Sequence, residues 1–177
     1  MKKIVAILLM SILSTALFAQ DGASLSKKEK RQIELEKQYQ QTKLLLESKS
    51  FVLETDFLQD KYGNRAFVSS TINFVAVDST DAVIQIGSDF RVGPNGLGGV
   101  TAKGKITKWE LKENEKRKNF NLSINVMTAI GIYDLRFSIG SSGSASALLT
   151  GLRRGQLTFD GDLVPMDESI VYEGQSI

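Results

Sequence analysis

The chain of 177 residues contains no cysteine, no histidine, two prolines and one tryptophan. Without cysteine there is no disulfide, no thiolate zinc site and no cysteine nucleophile. Without histidine the commonest general base and the commonest metal ligand are both missing. Serine–histidine hydrolysis, Cys/His zinc chemistry and histidine-based transfer are therefore excluded. Charge of one sign is also scarce, with 22 Lys and Arg against 20 Asp and Glu. That balance gives no basic surface of the kind nucleic acid requires. What is present is 42% hydrophobic and 24% charged, the composition of a globular chain with room for one domain. The expectation is a non-enzymatic protein with no cofactor and no metal.

The first residues read as an export signal. Met1-Lys2-Lys3 is a short positive start, and Ile4 to Leu13 is apolar except for Ser11. Ser14-Thr15-Ala16 is small and more polar, and a cut after Ala19, with the bulkier Leu17 two residues before that alanine, leaves Gln20 as the new N-terminus. Taken whole to Phe18, the run is still shorter than the roughly 20 residues of a membrane span. Removal of Lys2 and Lys3 brings the net charge near zero. The mature chain carries no second apolar run long enough to cross a membrane and no cysteine to carry a lipid. The expected destination is the periplasm or the exterior.

Four segments follow: a signal peptide over 1–19, a helix within 20–49, an antiparallel β domain over 50–165 and a polar tail over 166–177. The helix reads from Ser24 to Ser48. Ser26 with Glu29 forms a capping-box pattern. Leu35, Tyr39, Thr42 and Leu46 fall on one face, with Leu45 beside them. The ordinary reading is a helix whose second half covers a sheet and whose charged first half is a solvated spacer.

After Ser50 the period becomes two. Phe51, Leu53, Thr55 and Phe57 alternate with acids, and Ile72, Phe74 and Ala76 form a second run. Ala82, Ile84 and Ile86 form a third. Val100 to Leu111 changes phase between Ile106 and Trp109, which predicts a bulge. Phe120–Val126, Tyr133–Ile139, Ala145–Leu149 and Leu157–Phe159 complete about eight strands. Short polar turns join them, so neighbours are antiparallel. The fold class is mainly β: one N-terminal helix on an antiparallel meander closed as a lipocalin-like barrel or a two-layer sandwich. The tail from Met166 onward is expected to be loosely held.

Several constellations invite chemistry. Gly93-Pro94-Asn95-Gly96-Leu97-Gly98-Gly99 is neither a P-loop nor a dinucleotide fingerprint, because it joins two strands. It reads as a flexible connection, or as the lip of a ligand site with Asp89, Arg91, Gly96, Gly98 and Gly99. Asp160 with Asp162, and Asp78 with Asp81, are carboxylate pairs on a strand and in a turn, without calcium-loop spacing. Ser24 and Lys27 match a Ser-x-x-Lys spacing by chance, since its companion motifs are absent. Phe120, Leu122, Ile124, Tyr133, Leu135 and Phe137, with Trp109, share the inward face and would line any apolar pocket. The same positions would equally fill a core.

The order of motifs resembles a known family. Ser50-Phe51-Val52-Leu53-Glu54 follows the helix, and Gly98-Gly99-Val100 precedes Gly104-Lys105-Ile106-Thr107-Lys108-Trp109-Glu110-Leu111. Gly143-Ser144-Ala145-Ser146-Ala147 comes next, and Leu157-Thr158-Phe159-Asp160-Gly161-Asp162-Leu163 closes the set. Over about Lys27 to Pro165 the chain is similar to the secreted bacterial family named domain of unknown function 4251. Where many members carry an aromatic, proline-containing stretch, this chain has Ile86-Gly87-Ser88-Asp89-Phe90. The resemblance implies an envelope or secreted location in Gram-negative bacteria and transfers no catalytic residue.

Three functions remain open. The leading one is a non-catalytic binding module for a small apolar ligand or lipid. The second is a structural or interaction component of the cell envelope, using the charged helix Lys27–Lys43 or a sheet edge. The third is an enzyme working through carboxylates, lysine or tyrosine.

Overall fold

The structure, a computed structural model, describes residues 26–88, 95–152 and 155–176. The expected signal segment and the lip residues Asp89 and Arg91 lie outside the described residues. Among the described residues one helix, α1 (Lys27–Ser48), precedes nine strands. These are β1 (Ser50–Asp60), β2 (Arg65–Phe67), β3 (Phe74–Asp78), β4 (Asp81–Ile86) and β5 (Val100–Asn114). β6 (Asn119–Thr128), β7 (Gly131–Ile139), β8 (Ser144–Leu152) and β9 (Gly155–Pro165) follow.

The chain forms two compact units, divided between Glu34 and Leu35. In the first, the capping box forms as its spacing predicts. The Glu29 amide donates to Ser26 Oγ at 3.3 Å, and the Ser26 amide donates to Glu29 Oε2 at 2.8 Å. These bonds satisfy donors that the first helical turn otherwise leaves without partners.

The second unit is an antiparallel barrel. Strand order runs β1-β3-β4-β5-β6-β7-β8-β9 and closes where β9 pairs with β1. β2 is an extra strand, antiparallel to the C-terminal half of β1 through Phe57↔Phe67. The sequence reading left barrel and sandwich open; the β1–β9 pairing decides for the barrel. Period-two burial explains the fold. Along β7, Tyr133, Leu135, Phe137 and Ile139 are buried while Ile132, Asp134, Arg136 and Ser138 are exposed. Each inward Leu, Ile or Phe contributes about 1.5–3 kcal/mol of burial. Most outward positions of β6–β9 are Asn, Ser, Thr, Asp or Arg, the reverse of the apolar-out pattern of a membrane-crossing barrel.

Among the described residues the register shifts at three places, one of them between Leu149 and Leu152 where β8 meets β9. Another lies between Ile106 and Lys108, where the sequence phase changes. The third, between Thr55 and Phe57, corrects the sequence reading. Thr55 is fully buried and Leu58 packs into the barrel core, so Phe57 stands on the outside rather than in line with Phe51 and Leu53. Opposite this bulge Gly161 leaves no room for a Cβ, which would collide with the Glu54 carbonyl oxygen.

From Leu35 onward α1 packs on the barrel through Tyr39, Thr42 and Leu46, all buried. Tyr39 stacks on Phe120 with ring centroids 5.0 Å apart. Thr42 Oγ1 donates to the Ser141 carbonyl at 2.9 Å. Leu35, expected on the same face, is 41% exposed.

The C-terminal tail is fastened rather than loose. Met166 and Val171 cover Val52, Phe74, Ala76 and Val83 on the outer face of β1, β3 and β4. The fully buried Gln85 amide donates to Tyr172 O at 2.8 Å, and its Oε1 accepts from Gly174 N at 2.8 Å. The Gln175 amide donates to Asn95 O at 3.0 Å. The tail is thus held by Met166 and Val171 packing and by backbone bonds to the Gln85 side chain and to the Asn95 and Thr71 carbonyls.

Candidate functional site

The inward residues singled out from sequence are brought together, but as packing. Phe120, Leu122, Ile124, Leu135 and Phe137 are at most 2% exposed, and Tyr133 is 8% exposed. All six belong to one core cluster, against which Trp109 packs half-buried. Trp109 lies 6.4 Å from the Phe51 ring, with the Lys49 ammonium 5.1 Å over its own ring.

The glycine loop has a structural task. Asn95, buried at 1% exposure, accepts from the Leu97 and Gly99 amides at 2.9 and 3.0 Å. Its Nδ2 donates to Thr101 Oγ1 at 3.1 Å, and Thr101 in turn donates to Gln85 Oε1 at 2.8 Å. Gly96 and Gly98 both adopt φ of +76°, a left-handed backbone that side chains resist. At Gly99 a Cβ would strike the Ile86 carbonyl. The loop therefore clasps the C-terminal tail. Asn95 and Gln85, which hold this clasp, carried no sequence signal beyond their polarity.

The clefts lie on the outside of the barrel. One of about 560 Å³ runs between the tail and β3–β4, and another of about 580 Å³ follows α1 and the start of the tail. Both follow seams of the fold's own packing. A third, of about 510 Å³, opens on the outer faces of β1, β7, β8 and β9. It is lined by Asp56, Phe57, Arg65, Ser138, Ser144, Ser146, Asp160 and Asp162, among others.

This third cleft is assembled by register. Phe57, Asp160 and Ser146 lie in one row across β1, β9 and β8, and Glu54, Asp162 and Ser144 in the next. The β1 bulge turns Asp56 and Phe57 to the same side. The Arg65 guanidinium lies 3.9 Å over the Phe57 ring and pairs with Asp160 at 3.3 Å. Phe67 meets Phe57 edge-on at 5.4 Å. Among the described residues, the side chains of Asp56, Asp162, Ser138, Ser144 and Ser146 have no hydrogen-bond or ionic partner. The cleft thus offers free hydroxyls and carboxylates beside one oriented guanidinium. Of its members, only Asp160 and Asp162 were candidates from sequence. The other pair, Asp78 and Asp81, sits in the β3–β4 turn, where Asp81 binds Lys105 at 2.7 Å. No cluster of three metal-ligating side chains occurs among the described residues.

Comparison with curated proteins finds no match. Among solved structures, the chain is similar to a DUF4251 family protein from Bacteroides eggerthii DSM 20697. That likeness has 26% identity and a TM-score of 0.62, and covers 75% of this chain and 90% of the other. The family described as Domain of unknown function (DUF4251) matches residues 34–163, from within α1 to the end of the barrel, and the chain belongs to it.

Proposed function

We propose that this protein is an exported, non-catalytic binding module of the cell envelope that takes its ligand on the outside of the barrel. One observation carries the reading. The inward apolar residues are consumed in core packing, while an outer cleft of about 510 Å³ presents polar side chains without partners. Asp56, Asp162, Ser138, Ser144 and Ser146 are none of them buried, so their hydrogen-bonding groups face solvent, where a ligand can replace water. The signal pattern at Met1–Ala19 supports export. A small apolar ligand or lipid inside the barrel is the alternative form of the same function, and it requires Phe120, Leu122 and their neighbours to part.

Native mass spectrometry of the mature protein, purified gently from its own envelope, tests the proposal. The expected result is a reproducible extra mass that disappears on denaturation. A clean apo mass, together with no binding from a soluble envelope extract, would overturn it.

A further inference from the structure

The outer cleft also bears on the class of ligand, if the domain is the binding module proposed above. We infer that the cleft takes a saccharide. Its lining disfavours apolar and anionic ligands. An apolar ligand would face Ser138, Ser144, Ser146 and carboxylates rather than an apolar wall. An anionic ligand would meet Asp56, Asp160 and Asp162 against the single guanidinium of Arg65, which Asp160 already holds.

The lining matches what sugar hydroxyls ask for. Each hydroxyl both donates and accepts. Free carboxylates accept, free serine hydroxyls do both, and the exposed edge of Arg65 donates. The half-exposed Arg65 is kept flat against Phe57, so its fork is oriented before a ligand arrives. Phe67, which meets Phe57 edge-on from β2, backs the Phe57 ring from outside the cleft and helps fix the stack that carries Arg65. The β1 bulge and Gly161 build this surface on paired strands rather than a loop, which limits the ordering that binding requires.

The test is a printed array of neutral, amino-bearing and acidic glycans, probed with the labelled full chain and with Ser146→Tyr. Ser146 lines the cleft opposite Asp160, and tyrosine is well suited to a strand. Circular dichroism of the variant checks that it folds. The expected result is binding to neutral or amino-bearing glycans, reduced at least tenfold in Ser146→Tyr. Binding to acidic glycans alone, or equal binding by a folded Ser146→Tyr, would overturn the saccharide assignment. No binding to any glycan would also overturn it. In those cases a carried mass in native mass spectrometry would leave the binding module standing, and its absence would remove both.

Discussion

The Tyr39 hydroxyl donates to the Glu113 carboxylate, joining α1 to the end of β5 across 74 residues of chain. Lys43 Nζ reaches the same carboxylate at 2.9 Å, and the Lys118 ammonium lies 4.7 Å over the Tyr39 ring. The carboxyl of Glu113 is held below its ordinary value of 4.5, first by the Tyr39 bond and then by Lys43. Burial, and then the Glu113 bond, push the Tyr39 hydroxyl above its ordinary 10.0.

Both shifts set limits on stability. A depressed carboxyl contributes stability above its unfolded value and loses it as pH falls through its lower folded value. The Glu113 contribution is therefore complete above about pH 4.5 and is lost on further acidification. A raised phenol contributes below about pH 10 and loses that contribution as pH rises toward its folded value. Tyr39→Phe should cost about 0.5–1.5 kcal/mol at neutral pH and flatten the alkaline limb. Chemical denaturation across pH checks this. Identical alkaline limbs in the two proteins would contradict it.

Gln85→Leu should release the tail. The substitution leaves Tyr172 O, Ile72 O, Gly174 N and Thr101 Oγ1 short of a partner in a buried setting. The expected loss is about 2–4 kcal/mol. Hydrogen exchange should show earlier loss of protection at Tyr172 and Gly174 than at Leu135. Unchanged protection in the tail would show that Met166 and Val171 suffice to hold it.

Gly98→Val should lower stability by about 1–3 kcal/mol, because a β-branched residue is forced to φ of +76°. Gly161→Ala fails for a different reason. Its Cβ meets backbone, the Glu54 carbonyl, so β1 and β9 must separate at the bulge. The expected loss is at least as large, about 2–4 kcal/mol. Thermal unfolding checks both, and unchanged transitions would contradict a demanding backbone at either position.

Arg65→Ala separates stability from binding. The Arg65–Asp160 pair is half exposed and contributes at most about 1 kcal/mol. Denaturation should change little, while ligand retention should fall at least tenfold. Unchanged retention would place the ligand elsewhere.

The antiparallel strands were legible in sequence because one face of each is buried and the other is wet, whereas closure into a barrel rests on the distant β1–β9 pairing. Phe120, Leu122, Ile124 and Val126 against Asn121, Ser123 and Asn125 could only be a half-buried strand. The Ile106–Lys108 bulge was legible because apolar residues change phase there. The Thr55–Phe57 bulge was not, because Phe57 is apolar and keeps the alternation while Leu58 takes the inner place. β2 escaped notice because three residues carry no period. The tail read as loose because its partners are Gln85 and Asn95, far away along the chain. The cleft was illegible for the same reason, since register alone brings Phe57, Ser146 and Asp160 into one row.

The most direct test of an exterior ligand site is an amide shift map. The isotope-labelled mature protein would be titrated with a soluble extract of its own envelope. The account predicts shifts grouped at Phe57, Ser144–Ser146 and Asp160–Asp162, and none at Leu122 or Leu135. Shifts centred on Leu122, Ile124 and Leu135 would contradict it and return the ligand to the barrel interior.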